Sequence, residues 1–305
     1  MKQAGTLLTF DSISQLMCRL DLPGPQHPLV AIVNYDTAKF SLADAGNKFL
    51  LQFYKITFKT SFKGQVRYGQ GYYDFEEGGM AFLAPGQIVT MPAEERTYEG
   101  YALYFHPDLI RGYPLSHTIG YYGFFSYGVS EALFLSDKEK KVIAALFEAI
   151  RTELDNHTDQ FSQDVLVSQI ELLLNHSNRF YNRQFLTRKT VNHELIDRMN
   201  VYLLKSLDPK RTSLKGLPSA QDVADHLKVS PRYLSDMLRS LTGQTTQQHL
   251  HNQLIEKAKS LLTTSTLSVA EIAYHLGFEH PQSFNKLFKQ KVTQSPLQFR
   301  RLFDN

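Results

Sequence analysis

The sequence predicts an α+β chain of two domains, a strand-rich amino-terminal domain with added helices and an all-α carboxyl-terminal domain with two helix-turn-helix motifs. Three observations predict this. Residues 30–106 hold short β-branched and aromatic runs separated by breakers. The chain after residue 218 nearly repeats itself, with apolar residues at helical spacing in each copy. Charge is divided unevenly: residues 1–182 carry 15 Lys and Arg against 20 Asp and Glu, a net of −5, whereas residues 183–305 carry 18 against 10, a net of +8. A basic half joined to an acidic half points to a polyanionic partner for the basic half.

Composition excludes several classes. No run approaches the ~18 apolar residues of a membrane span. Met1 to Phe10 lacks the apolar run and small-residue cleavage site of a secretory signal. The expectation is a cytoplasmic chain with no membrane partner. A single cysteine, Cys18, rules out an internal disulfide or a thiolate zinc cluster.

The expected strands are residues 30–33, 49–58, 66–75, 80–83 and 101–105, with Gly64, Gly78-Gly79, Pro85-Gly86 and Glu99-Gly100 among the breakers. Short strands at this spacing suggest a barrel or a sandwich. Most of the aromatics must be core. Some could line a pocket for a small-molecule effector, and the candidates are Lys55, Arg67, Tyr68 and Tyr72, with Lys55 and Arg67 as anchors for an anionic group.

Two helices follow. Ser136 and Glu139 form a capping box, and Ile143, Leu146, Phe147, Ile150 and Leu154 then recur at helical spacing. The second helix, over residues 162–180, carries Val165, Leu166, Ile170, Leu172, Leu173 and Leu174. That stripe is wider than one face needs, so it is core or, in part, a homodimer interface.

The repeat carries the functional argument. Ser219 to Leu227 and Ser268 to Leu276 each open with a serine followed three residues later by an acid, a second and third capping box. Each has a branched residue, Val223 or Ile272, beside an alanine small enough for a crossing helix to approach. Gly277 ends the later helix where a left-handed conformation is cheap for glycine, while Lys228 stands at that place in the earlier copy. Ser230-Pro231 and His280-Pro281 then start second helices with a cap and a proline at the first helical position. Leu234, Met237 and Leu238 match Phe284, Leu287 and Phe288 as buried faces. Between them lie Arg232, Tyr233, Ser235, Asp236 and Arg239 in one copy, and Gln282, Ser283, Asn285, Lys286 and Lys289 in the other.

Helix, tight turn, helix, twice over, is an architecture whose second helix fits the major groove of B-DNA. Gln and Asn read adenine, Arg and Lys read guanine, and basic residues such as Arg239, Lys289, Arg300 and Arg301 suit phosphates. The expected DNA-binding set is Arg232, Tyr233, Ser235, Asp236, Arg239, His280, Gln282, Ser283, Asn285, Lys286, Lys289 and Arg300. A helix over Thr246 to Leu262 spaces the two units. The competing reading, a helical protein-binding domain with solvated polar faces, does not account for two aligned units on a basic half.

Residues 203–303 resemble the DNA-binding domain of the AraC/XylS family of regulators. The residues that carry the resemblance are Ser268-Val269-Ala270-Glu271-Ile272-Ala273-Tyr274-His275-Leu276-Gly277-Phe278, Ser283-Phe284-Asn285-Lys286-Leu287-Phe288-Lys289 and Ser295-Pro296-Leu297-Gln298-Phe299-Arg300. Thr293 departs from it, since glycine is usual there and Gly243 holds the matching place in the first copy. Glu76 to Gln87 resembles the strand pair and turn of the family's cupin-like effector domains. The resemblance implies a cupin-like β-barrel plus helices over residues 1–182, a linker over 183–202, and a DNA-binding domain over 203–303 with motifs at 219–241 and 268–291. It further implies a small-molecule effector, a homodimer, promoter DNA and RNA polymerase as partners, and no cofactor.

Two other chemistries compete with this reading. A metal-dependent cupin enzyme with an appended DNA-binding domain needs several histidines in the barrel. The strand region offers only His106, and His249 and His251 point to different faces of a helix. A DNA-repair alkyl transferase needs reactive cysteines, which Cys18 alone does not supply.

Overall fold

The computed structural model describes residues 6–35, 44, 46–62, 66–68, 71–73, 78–91, 98–157, 159–207 and 216–303, of which 61, 62, 66–68, 71–73, 98, 129, 189 and 190 are described by their backbone alone. The chain divides into two compact units, Met1–Gln184 and Phe185–Asn305.

The first unit is built on sheets. One has three strands: β1 (Leu7–Phe10) pairs in parallel with β3 (Lys48–Leu51), which pairs antiparallel with β8 (Gln87–Thr90). The other has five, in the order β10 (Leu133–Phe134), β7 (Gly79–Leu83), β4 (Tyr54–Phe62), β9 (Tyr98–Phe105) and β2 (Val30–Asn34). The hairpin β5 (Val66–Tyr68) and β6 (Gly71–Tyr73) stands apart as a two-stranded sheet. The strands therefore do not close into the expected barrel among the described residues. They stack as cupin-like sheets around a shared core. Phe49 and Leu51 from the small sheet, Ala31, Val33, Ala102 and Tyr104 from the large one, and Ile13, Leu16 and Met17 of helix α1 (Ile13–Arg19) fill it.

Strand alternation gives the large sheet a second buried face. Phe58 meets Phe147 of α3 (Asp137–Asp155) with centroids 5.8 Å apart, and Phe82 meets Tyr181 of α4 (Ser162–Thr187) at 6.1 Å. The Ser136–Glu139 capping box is present at the start of α3. On α4 the wide stripe divides. Leu166, Ile170, Leu173 and Leu174 are buried, while Val165 and Leu172 are exposed. A short helix α2 (Pro114–Thr118) precedes these.

Gly100, read as a breaker, lies inside β9. Its φ is +120°, and a Cβ there would clash with the Phe58 carbonyl oxygen. It sits opposite Lys59, where the β4–β9 register shifts between Lys59 and Ser61, so the glycine marks a bulge rather than a strand end. Glu76, Glu77 and Gly64 lie outside the described residues.

The second unit is helical. The segment expected as a linker, 183–202, is helical in the structure apart from Arg188. It comprises the end of α4 and most of α5 (Lys189–Ser206), whose Met199 and Leu203, with Leu207 just beyond, are buried. Apolar residues at helical spacing made it a packed element. Then come α6 (Ala220–Leu227), α7 (Pro231–Thr242), α8 (Thr246–Thr264), α9 (Val269–His275), α10 (Pro281–Val292) and α11 (Pro296–Arg301).

Capping follows the sequence closely. Ser219–Asp222, Thr245–Gln248, Ser268–Glu271 and Ser295–Gln298 all form capping boxes. Hydrogen bonding to the Ser268 side chain, and next to its backbone amide, holds the Glu271 carboxyl below its ordinary pKa. The two turns close alike. Lys228 adopts φ 61° where Gly277 adopts φ 90°, and the amides of Val229 and Phe278 donate to the carbonyls of Ala224 and Ala273 at 3.1 and 3.0 Å. Lysine thus occupies a conformation that glycine enters without cost.

Thr293 is the more strained case, a β-branched residue at φ 66°. Thr293→Gly is expected to stabilise the second unit. Relief of about 1–2 kcal/mol of left-handed strain outweighs the added freedom of the unfolded chain, leaving about 0.5–1 kcal/mol. A thermal midpoint raised by a few degrees would show this.

Candidate nucleic-acid interface

The first recognition helix, α7, is positioned from both ends. The Tyr233 amide donates to the Ser230 hydroxyl at 3.3 Å, and Gly243 at φ 72° closes the helix. Leu234, Met237 and Leu238 are buried as expected. Arg232 and Arg239 face solvent and Ser235 is half-buried. Arg232 Nε donates to Asp236 Oδ2 at 2.9 Å, one helical turn on, and the Asp236 side chain is only 17% exposed. Asp236 thus braces Arg232 rather than presenting its own charge to a ligand.

Tyr233 departs from the expected polar face. It is 7% exposed and packs edge-on against Phe185, ring centroids 5.3 Å apart. A ring distant in sequence recruits it to the core.

The second recognition helix, α10, buries Phe284 and Phe288 and leaves Gln282, Ser283, Asn285, Lys286 and Lys289 exposed. Two amides, a hydroxyl and two ammonium groups share one outward surface, a donor-rich set that matches base edges and phosphates. His280 is exposed at the N-cap but makes no capping bond with its side chain, unlike Ser230. Lys291, which the sequence reading passed over, is also exposed on this helix. Its spacing of two from Lys289 was the available signal.

Arg300 is half-buried and tied to the spacer helix. Its Nε donates to the Leu262 carbonyl at 3.1 Å, and its Nη2 is buried with no partner among the described residues. It serves the last turn of α8, where carbonyls lack intrahelical partners. Arg300→Ala is expected to cost about 1–3 kcal/mol of stability and to leave the salt dependence of DNA binding unchanged. Denaturant unfolding and a salt titration of binding check the two halves.

The spacer α8 is two residues longer than expected, 19 in all, or about 28 Å at ~1.5 Å per residue. Its Leu254, Ile255, Ala258 and Leu262 pack with Ile272, Ala273, Phe284 and Phe288 of the second motif. A polar relay on α8 reaches both recognition helices. Thr242, the last residue of α7, bonds His249 Nε2 at 2.8 Å. Gln244 accepts from Asn252 Nδ2 at 2.8 Å, and Lys291 of α10 donates to Asn252 Oδ1 at 3.1 Å. Burial pushes the pKa of His249 and His251 down, so both stay neutral near pH 7. Asn252→Ala is expected to loosen the spacing requirement. Inserting one base pair between half-sites should weaken the variant's binding several-fold less than that of the unaltered chain, measured by gel shift.

In the first unit, the four effector candidates are split. Lys55 lies on β4, whereas Arg67 and Tyr68 on β5 and Tyr72 on β6 belong to the separate hairpin, with Arg67 opposite Tyr72. The side chains of these last three lie outside the described residues. No group of three or more His, Cys, Asp and Glu residues is placed to hold a metal ion among the described residues, and no described helix is long and apolar enough to cross a membrane.

Comparison with known proteins agrees with this geometry. Residues 223–302 match the family described as "Helix-turn-helix domain", and residues 60–170 match "AraC-like ligand binding domain". The HTH-type transcriptional activator RhaS of Escherichia coli O157:H7 is 39% identical over 79 residues, 26% of this chain and 28% of RhaS. The uncharacterized HTH-type transcriptional regulator YfiF of Bacillus subtilis is 37% identical over 82 residues, 27% of this chain and 26% of YfiF. The chain belongs to the AraC/XylS family of transcriptional regulators. It spans only about a quarter of the length of these curated AraC-family relatives. Among solved structures, the C-terminal domain of the response regulator yesN from Fusobacterium nucleatum is similar at 30% identity, covering 33% of this chain and 96% of that one, with a TM-score of 0.29. The helix-turn-helix match falls on the elements that present Gln282, Asn285 and Lys289.

Proposed function

We propose that the chain is a sequence-specific, double-stranded-DNA-binding transcription regulator, not an enzyme, whose amino-terminal unit holds a small-molecule effector. The observation that carries this is the pair of recognition helices on either side of a 19-residue spacer, one of them with five polar side chains wholly outward. About 28 Å is of the order of the ~34 Å between successive major-groove faces, so both helices reach the same side of one duplex. In this reading Arg232, Ser235, Arg239, His280, Gln282, Ser283, Asn285, Lys286 and Lys289 face DNA, and residues 203–303 are the DNA-binding domain. Exposed Val165 and Leu172 on α4, with Phe161 just before it, support a homodimer through this helix. Effector binding changes how the two DNA-binding domains of that dimer meet a promoter and RNA polymerase.

Selection of bound duplexes from a randomised pool tests the reading, with and without small molecules from a cell extract. Enrichment of a site with two blocks about one helical turn apart is expected, altered in strength by the extract. Failure to retain any duplex in dilute salt would overturn it.

A further inference from the structure

We infer that the amino-terminal unit takes an organic carboxylate, a monoanion, whose charge is balanced by Lys55. This rests on reading that unit as an effector domain.

The placement of Lys55 follows from strand alternation. On β4, Tyr54 stacks on Phe105 and Phe58 packs on α3, so these residues and Ile56 face the helices. Lys55 and Thr57 therefore face the space between the two sheets. In register, Lys55 stands between Tyr104 of β9 and Leu83 of β7. Tyr104 is buried in the inter-sheet core with Phe53 and Leu51, and Lys55 Nζ lies 5.4 Å from the centre of its ring. A cation on a half-buried side chain has thus been turned inward.

The polar groups beside it do not neutralise it. Elsewhere in the unit, cations at the edge of the core meet buried or half-buried carboxylates, Arg19 with Asp44 and Arg183 with Glu139, each at 2.6 Å. Among the described residues, the polar groups acting on Lys55 are the phenols of Tyr104 and Tyr35. Burial disfavours the ammonium, yet the two phenol oxygens outweigh this and hold its pKa above the ordinary value, so Lys55 stays charged. Burial pushes Tyr104 up to about 12, which keeps its hydroxyl protonated and able to donate.

The phenols hold the ammonium but are neutral, so its net charge is cancelled by no carboxylate among the described residues, and a bound anion supplies that charge. One ammonium flanked by two phenol hydroxyls is a donor set for the two oxygens of a carboxylate. A single positive charge favours a monoanion over a phosphate dianion. Leu83 beside it in register is apolar, and Leu51, Phe53 and Ala102 share the core that holds Tyr104, which suits an organic body over a free inorganic ion.

The test uses the full chain and thermal unfolding of its amino-terminal unit. Acetate and butyrate are compared with chloride at equal ionic strength, with acetamide and butyramide as neutral shape controls. The carboxylates at saturation are expected to raise the midpoint by about 2–4 °C and the amides not at all. Lys55→Met should lose the response and keep or raise the ligand-free midpoint. Tyr104→Phe should fold and weaken the carboxylate response about fivefold.

Three results overturn the inference: amides matching carboxylates, an undiminished response in Lys55→Met, or no response in the unaltered chain. A ligand-free midpoint several degrees lower in Lys55→Met would do the same, since Lys55 would then be a structural partner of the tyrosines. Should that variant not fold, Lys55→Gln and Tyr104→Phe decide by the same readout. In each case the effector reading itself stands or falls separately, on whether extract small molecules change DNA affinity.

Discussion

Replacing Phe288 by alanine is expected to melt the second helix-turn-helix motif and abolish duplex binding, although Phe288 touches no outward surface. Its ring is fully buried, 5.7 Å from Phe284 and 5.6 Å from Phe299, and lies in one cluster with Leu254, Ala258 and Ile272. Three helices, α8, α9 and α10, and the ring on α11 converge there. Truncation removes the transfer free energy of the ring and leaves a cavity that helices crossing at alanines have little room to close. The cost is about 3–5 kcal/mol. Domains are stable by only about 5–15 kcal/mol, so much of the margin disappears. Phe288→Leu keeps more of the volume and should cost less than half as much. Urea unfolding of the full chain, followed beside gel-shift titration, gives both quantities. An alanine variant with an unchanged urea midpoint would refute the packing described for α10.

The second large effect separates base reading from phosphate reading. Gln282→Ala and Asn285→Ala should each remove about 1–3 kcal/mol of discrimination at one base position, a five- to 150-fold loss there and little elsewhere. Lys286→Ala and Lys289→Ala should weaken all sequences alike and flatten the slope of log affinity against log salt by about one each. All four side chains are exposed on one helix, so these changes leave the core intact. The earlier helix should behave differently. Arg232 is held by Asp236, so Asp236→Ala is expected to blur specificity at the base that Arg232 meets. Affinity selection on a randomised duplex library, repeated at two salt concentrations, distinguishes the classes. Identical profiles for Asn285→Ala and Lys289→Ala would sink the assignment of α10 to the groove.

What the sequence determined by itself was local. Capping boxes bind residues three apart, turns close through single left-handed residues, and helical stripes recur every three or four positions. Both motifs, their caps and the outward residues of α10 could therefore be read in order along the chain. The alternating strand residues likewise announced sheets. Partners distant in sequence decided the rest. Tyr233 is buried because Phe185 lies beside it, and Arg300 braces the end of α8 because the Leu262 carbonyl needs a donor. Asn252 ties the two motifs only because Gln244 and Lys291 arrive on either side. Gly100 sits inside a strand because β4 bulges against β9 there. Lys55 faces inward through the register of three strands. A side chain's chemical type is written in the sequence, but its role depends on which groups replace the water around it, and only the tertiary structure brings those groups there.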